Sequence, residues 1–126
     1  MEQDTDIVTE DEAEALSRAT VRLFEVWSVT DPEACLLLGG MAPDEWDRWK
    51  AGQAGEIAIP LRMRMAHLIG IHAGVRRLFH DPERGYAWMR KPNTALDGKS
   101  ALDVLLEGDL EDFRKLRAWV DAEVAA

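Results

Sequence analysis

The side chains that most often carry catalysis or bind metals are few and scattered in this sequence. It contains one cysteine, Cys35, and three histidines, His67, His72 and His80. The histidines are spaced five and eight residues apart on a predicted helix, so they do not share one face, and no cysteine accompanies them. The sequence also has no Ser-His-Asp order, no phosphate-cradling glycine loop and no carboxylate pair in an apolar setting. It therefore predicts no metal site, no cofactor and no enzymatic activity.

Cysteine use and hydropathy limit where the protein works. A single cysteine cannot form an internal disulfide, and Cys35 lies in the apolar run 34–38, which predicts a small buried side chain. The N-terminus does not resemble a signal peptide, and no apolar stretch is long enough to span a bilayer. We expect a cytoplasmic protein with no membrane partner.

The charge is unevenly distributed along the 126 residues, whose net charge is -9. The first 14 residues contain no Lys or Arg but have seven carboxylates: Glu2, Asp4, Asp6, Glu10, Asp11, Glu12 and Glu14. Such a run predicts a solvated, flexible acidic arm over residues 1–14. Because this arm repels phosphates, any nucleic-acid role must depend on a local basic patch.

One short segment has the residue types of a DNA-reading helix. Trp46, Arg48, Trp49 and Lys50 lie on a helix predicted from Pro43, and Arg and Lys can pair with phosphates or guanine edges in the major groove. Three carboxylates share the same two turns: Asp44, Glu45 and Asp47. They oppose phosphate binding at short range, so the segment predicts a DNA contact with weakened electrostatics.

Helical periodicity runs along the chain, and no strand pattern competes with it. We expect an all-α fold whose helices span about 11–29, 32–38, 43–50, 60–80, 82–89, 100–108 and 109 onward. Helix starts are marked by residues that cap with their side chains: Thr30 or Asp31, Asp81, Ser100 and Asp109. The last two helices should bury Leu102, Leu105, Leu106, Phe113 and Leu116.

Two lobes follow from the order of these helices. A helix, a short helix, the Gly39-Gly40 turn and a second short helix are typical of a helix-turn-helix. We expect residues 15–59 to form this helix-turn-helix-like lobe, packed on a helical lobe of residues 60–126. The long helix from Pro60 should contribute to both lobes.

An irregular segment interrupts the second lobe between residues 91 and 99, and we call it the elbow. Pro92 and a predicted Asp97-Gly98 turn bracket it, and Asn93 can satisfy its backbone groups. Trp88 precedes the elbow, and a large ring with one polar N–H suits an internal seam or an interface anchor equally well.

The residues around the elbow form an ordered set that resembles a known family. Trp88, Pro92-Asn93, Leu96, Gly98, the run 101–106 and Gly108-Asp109 resemble the toxin-binding domain of Xre/MbcA/ParS antitoxins. Upstream, residues 48–53 resemble the Trp-x-x-Gly segment of the family's Xre-type helix-turn-helix. Residues 61–79 look like the long helix that follows it.

The resemblance implies the antitoxin of a type II toxin–antitoxin pair. Such an antitoxin binds a RES-domain toxin, an enzyme that consumes NAD. The antitoxin covers the entrance to the toxin's active site and often represses its own operon. We expect the toxin to contact Trp88, Pro92, Asn93, Leu96 and Gly98, which lie in the resembling segment, and Trp119 and Asp121 of the last helix. Many members end in a basic-apolar-acidic-aromatic-glycine tail, where this chain has only Trp119-Val120-Asp121-Ala122.

Two other functions remain open at this point. A stand-alone helix-turn-helix regulator would read operator DNA through residues 43–50, and a structural adaptor would bind no toxin at all. Helix-turn-helix proteins commonly form homodimers, so a second copy of the chain is a further candidate partner.

Overall fold

The computed structural model describes residues 8–126 and is built almost entirely from helices. In chain order they are α1 (Glu10–Val26), α2 (Asp31–Leu37), α3 (Pro43–Lys50), α4 (Ile59–Leu78), α5 (Pro82–Trp88), α6 (Ala101–Glu107) and α7 (Leu110–Ala125). A short 3-10 turn covers Thr94–Leu96, and residues 8–126 contain no strand beyond one isolated bridge between Asn93 and Lys99. The predicted all-α fold is confirmed. None of the described helices is long and apolar enough to cross a membrane.

Side-chain caps fix the helix starts, as the sequence predicts. The hydroxyl of Thr30 accepts a hydrogen bond from the N–H of Glu33, and Asp81 accepts one from Glu83. Ser100 and Asp103 form a reciprocal capping box, since each side chain accepts from the other residue's N–H, at 3.0 and 3.2 Å. Each cap satisfies a helix N–H that otherwise has no partner.

Helix α1 begins inside the segment predicted to be a flexible arm. Thr9 and Glu12 form a capping box at 3.2 and 2.9 Å, and Glu10 and Asp11 also lie in the first turn, where the helix dipole favours negative charge. The prediction of a flexible arm is therefore wrong for residues 10–14, which are helical. Its first seven residues lie outside the described part of the chain.

Left-handed backbone ends the first two helices. Gly39 and Gly40, with φ of 81° and 88°, follow α2 as expected. Helix α1 ends three residues before the predicted Val29, because Ser28 turns to φ 56° and the N–H of Val29 bonds back to the carbonyl of Phe24 at 2.8 Å. Glycine is absent here, so the sequence gives no clear stop signal.

Helix α4 is the centre of the fold and packs against both α1 and α7. Met65, Leu68, Ile71 and Val75 on its inner face have no solvent exposure. Leu102, Leu105, Phe113 and Leu116 are buried as predicted, whereas Leu106 is only partly buried. The core therefore runs continuously from α1 through α4 to α6 and α7.

Glycine lets α4 and α7 approach closely. A Cβ built on Gly74 would lie 2.5 Å from Cγ1 of Val120, well inside van der Waals contact. One turn earlier, the guanidinium of Arg117 occupies the space beside Gly70. Gly74 thus allows α7 to lie close to α4, since a methyl group there would push Val120 away, whereas at Gly70 only the side chain of Arg117 would have to move.

Two arginines bond the first two helices to later parts of the chain. Arg90 donates to the carbonyls of Trp27 (3.3 Å) and Ser28 (2.7 Å) and to the carboxylate of Glu33 (3.1 Å). Arg64 donates to the carbonyl of Leu37 at 3.1 Å. The bonds of Arg90 fix the α1–α2 corner to the residues just before the elbow, and the bond of Arg64 joins α4 to the end of α2. The division into lobes at residue 59 stays a prediction.

Candidate partner-binding surface

Two tryptophans predicted as toxin contacts meet on the surface between α5 and α7. Trp88 at the end of α5 and Trp119 in α7 stack with ring centroids 6.0 Å apart and planes 9° from parallel. Phe79 at the end of α4 tilts against Trp88 at 6.1 Å. Both indoles are only partly buried, so one side of each can still contact a partner.

The elbow beside these rings is organised by Asn93. Its carbonyl accepts hydrogen bonds from Leu96 and Gly98, each at 2.9 Å, and its N–H donates to the carbonyl of Lys99 at 3.0 Å. Its side-chain Oδ1 accepts from the N–H of Ala95 at 2.9 Å. One residue therefore closes the loop on itself, in agreement with the role expected of Asn93.

The far side of the elbow depends on two consecutive left-handed residues. Asp97 has φ 59° and Gly98 has φ 83°, which agrees with the predicted Asp-Gly turn. Both residues are exposed, as are Pro92, Thr94 and Ala95. The elbow is thus presented to solvent as a preformed surface loop and not sealed inside the protein.

Two grooves flank the ring of Trp119, and both also reach Ala95 of the elbow. One, of about 500 Å³, includes Leu78, Trp88 and Asn93. The other, of about 360 Å³, includes Leu96 and Leu116. We call the rings of Trp88 and Trp119, the elbow and these two grooves the Trp88–Trp119 surface.

Positively and negatively charged side chains surround this surface. Lys99 lies 2.6 Å from Glu107, whose hydrogen bond raises the pKa of the lysine. Lys115 borders one groove and Glu123 the other, and neither forms an ion pair within residues 8–126. An apolar centre with an unpaired cation and an unpaired anion at its rim is suited to binding another protein.

The structure brings together most of the predicted toxin-binding residues, but not all of them. Asp121 points away from Trp119, into a separate groove between α4 and α7, where it lies 3.9 Å from Arg117. Pro92 and Gly98 belong to the elbow but line neither groove. Pro92 and Gly98 contribute to the Trp88–Trp119 surface by shaping the backbone of the elbow.

In the groove beside Trp88, four lining residues were not named as partner contacts from the sequence: Leu78, Phe79, Ala95 and Glu123. Glu123 follows Trp119 by one helical turn, so the spacing already places both on one face of α7. Phe79 and Ala95 carry no such signal, because their position depends on how α4 and the elbow meet α7.

The predicted DNA-reading helix has a different environment from the one its residue types suggest. Trp46 and Trp49 are core side chains, 3% and 2% exposed. Lys50 contacts Asp31 at 3.1 Å, which raises the pKa of the lysine, and Arg48 lies 3.6 Å from Asp44. Only the two cations of the predicted set are at the surface, and both are paired with carboxylates.

The histidines do not gather with other metal-binding side chains. Among residues 8–126, no three His, Cys, Asp or Glu lie close enough together to hold a metal ion. The ring of His72 packs between the rings of Trp27 and Tyr86, whose centroids lie 6.2 Å and 6.1 Å from its own. Burial, followed by the charge of Arg76, lowers the pKa of His72.

Two comparisons connect this surface to known proteins. Residues 75–123 match the antitoxin Xre/MbcA/ParS C-terminal toxin-binding domain. The chain is also 31% identical to a Sinorhizobium fredii (strain NBRC 101917 / NGR234) protein described as uncharacterized protein y4oB, over 83% of this chain and 81% of that protein. The chain therefore contains a segment that matches the toxin-binding domain of this antitoxin family. No solved structure matches it.

The matched segment begins in the last turn of α4 and ends in α7. It contains both stacked tryptophans, the whole elbow and every residue that lines the two grooves. The matched domain and the Trp88–Trp119 surface therefore coincide, and the match implies an antitoxin role with a toxin as the partner.

Proposed function

We propose that this chain is an antitoxin that neutralises a RES-domain toxin by covering the entrance to its NAD-binding site with the Trp88–Trp119 surface. The observation that supports this most is the coincidence of the family's toxin-binding segment, residues 75–123, with an exposed surface of stacked rings and apolar grooves. The RES-domain identity of the partner rests on the family resemblance of residues 88–109.

The surface has the features of a protein-binding patch. Tryptophan is the residue most enriched among binding hot spots, since a large rigid ring buries much area at little entropic cost. The elbow is already ordered by the hydrogen bonds of Asn93, so little conformational entropy is lost on binding. The unpaired Lys115 and Glu123 supply complementary charge at the rim and set the orientation of the partner.

Neutralisation then follows by mass action. A toxin held in a tight complex is scarce in its free form, and removal of the antitoxin releases it. The antitoxin needs no reactive group for this, because blocking the entrance with an ordered loop excludes the nucleotide.

Co-expression with the product of the adjacent gene tests the proposal. We expect that product to slow growth when expressed alone, to copurify with this chain and to lose its NAD consumption in the complex. A neighbour that neither binds this chain nor slows growth would contradict the antitoxin assignment. A toxin that binds but consumes no NAD would contradict only the RES-domain part.

Operator binding is a separate matter from toxin neutralisation. The alternative of a stand-alone helix-turn-helix regulator requires Arg48 and Lys50 to leave their carboxylate partners for phosphates. A gel shift on upstream DNA at increasing salt separates the two functions, since toxin neutralisation requires no DNA. Tight, salt-sensitive binding by the free chain, with no toxin partner, would favour the regulator.

A further inference from the structure

The larger of the two grooves beside Trp119 combines an aromatic wall with a single carboxylate. It measures about 500 Å³ and is lined by Leu78 and Phe79 at the end of α4, Trp88 of α5, Asn93 and Ala95 of the elbow, and Trp119 and Glu123 of α7. Among residues 8–126, Glu123 is the one ionisable residue that lines it. A partner that fills this groove therefore meets one negative charge among apolar atoms.

No cation of the described chain neutralises Glu123. Its carboxylate forms no ion pair within residues 8–126. Lys115, on the same helix, lines the other groove beside Trp119, and Arg77 of α4 lines the separate groove between α4 and α7. In the free protein the carboxylate is exposed and hydrated. A partner that covers the groove removes that water, so it must supply a positive charge in exchange.

The aromatic rings determine which cation fits best. The ring centroids of Phe79 and Trp119 lie 6.1 Å and 6.0 Å from that of Trp88, and all three rings are only partly buried. Aromatic faces attract cations, and the attraction strengthens when water is excluded. A guanidinium is planar and weakly hydrated, so it can stack on a ring and also pair with a carboxylate through two parallel N–H bonds. A lysine ammonium has neither the flat face nor the fork.

The ring and the carboxylate are arranged for such a double contact. Trp119 and Glu123 are four residues apart in α7, so their side chains lie on the same face of the helix, one turn apart. A guanidinium between them reaches both, while the apolar stem of its side chain lies along the groove.

We propose that the larger groove receives one arginine side chain of the partner toxin, which stacks on the aromatic rings and pairs with the carboxylate of Glu123. This inference rests on the proposed function and adds to it the chemistry that the toxin must present. The rings supply contact area, whereas Glu123 selects the partner. A toxin with a neutral or acidic side chain at this position would leave the carboxylate buried without a counter-charge.

The smaller groove does not offer the same chemistry. It is lined by two carboxylates, Asp97 and Asp112, and by two cations, Lys99 and Lys115. Its charges are balanced, so a guanidinium there gains from the carboxylates and loses to the lysines. The arginine is therefore assigned to the larger groove.

Calorimetric titration with the product of the adjacent gene tests the assignment. Glu123→Gln keeps the size of the side chain but removes its charge, and it should raise the dissociation constant about thirtyfold. Asp121→Asn is the matched control: it removes the same charge two residues away on α7, in the separate groove beside Arg117. It should change the dissociation constant by about twofold at most. Far-ultraviolet circular dichroism confirms that each variant is folded.

A charge exchange between the two proteins gives the sharpest result. Glu123→Arg should weaken binding about a hundredfold, because two guanidinium groups then meet in the groove. Each surface arginine of the toxin is changed in turn to glutamate, and one of these changes should restore binding to within about tenfold of wild type. The restoring position identifies the arginine that occupies the groove.

The outcomes separate this assignment from the proposed function. Wild-type affinity in Glu123→Gln, an equal loss in Asp121→Asn, or no toxin arginine that restores Glu123→Arg would overturn the arginine assignment and leave the antitoxin function standing. Unchanged or tighter binding of Glu123→Gln would instead indicate an apolar side chain in the groove. If the wild-type chain fails to bind the toxin at all, the proposed function fails and the assignment fails with it.

Discussion

Trp88 and Trp119 are 31 residues apart in the chain, yet their indole rings lie nearly parallel, with centroids separated by 6.0 Å. Trp88 ends α5 and immediately precedes the elbow, and Trp119 lies near the middle of α7. The stack therefore fixes the elbow to the last helix. It also leaves one partly exposed aromatic surface on which a partner can close.

Truncating this stack should weaken toxin binding more than it weakens the fold. Trp119→Ala removes the ring shared by both grooves, and we expect it to cost about 2–4 kcal/mol of binding free energy. Leu36→Ala is the control, because Leu36 is a large apolar side chain, 55% exposed, outside the surface. Calorimetric titration with the toxin measures both variants, and equal losses would contradict a specific role for Trp119.

The side-chain oxygen of Asn93 should determine how firmly the elbow is held. Asn93→Ala removes the acceptor for the N–H of Ala95, at a cost of about 1 kcal/mol in local stability and a similar loss in toxin affinity. Asn93→Asp retains an acceptor oxygen and should behave like the wild type. Hydrogen exchange at Ala95, alongside titration with the toxin, measures the change. Unaltered protection in the alanine variant would show that the elbow does not depend on this bond.

Gly74 and Gly70 should respond differently to the same substitution. Gly74→Ala brings a methyl group to 2.5 Å from Val120, and separating two packed helices costs about 1–3 kcal/mol of unfolding free energy. At Gly70 the neighbour is the flexible end of Arg117, which can move aside. Gly70→Ala should thus be close to neutral, helped by the higher helix propensity of alanine. Urea denaturation ranks the two, and a reversed order would refute the close-packing argument.

Arg90 should hold the α1–α2 corner against the elbow. Arg90→Ala removes donors from the carbonyls of Trp27 and Ser28 and from Glu33, and we expect a loss of about 1–2 kcal/mol in unfolding free energy. Arg90→Lys keeps the charge but cannot make the forked contact, so it should recover only part of the loss. Full recovery with lysine would mean that charge alone is sufficient.

Stability should fall when the solution becomes mildly acidic. The pKa values of His72 and His67 are lowered below 6.5 in the folded chain, mainly by burial. As the pH falls below 6.5, the unfolded chain takes up protons before the folded one, so stability present above that pH is progressively lost. Urea denaturation between about pH 7.5 and 5.5 measures the slope. The slope should flatten in His72→Gln, and an unchanged slope would exclude His72 as a cause.

Much of the local structure could be predicted from the sequence, since helix ends depend on residues only a few positions apart. Thr30, Ser100 and Asp109 cap their helices through bonds that span three residues, and Gly39 and Gly40 take up left-handed backbone at once. The exception at Ser28 is informative. Its left-handed backbone lacks a glycine, and its carbonyl accepts a hydrogen bond from Arg90, which is distant in sequence, so part of what stabilises that end is not local.

The packing of the helices determines whether a side chain faces the core or the surface. Trp46, Trp49, Trp88 and Trp119 are chemically identical, but the first two face the core and the last two form a surface. Periodicity shows that a ring lies on the apolar side of its helix, yet it does not show which neighbour covers that side. The angles and distances between α4, α5 and α7 determine which neighbour buries that side. They are established only when the whole core assembles.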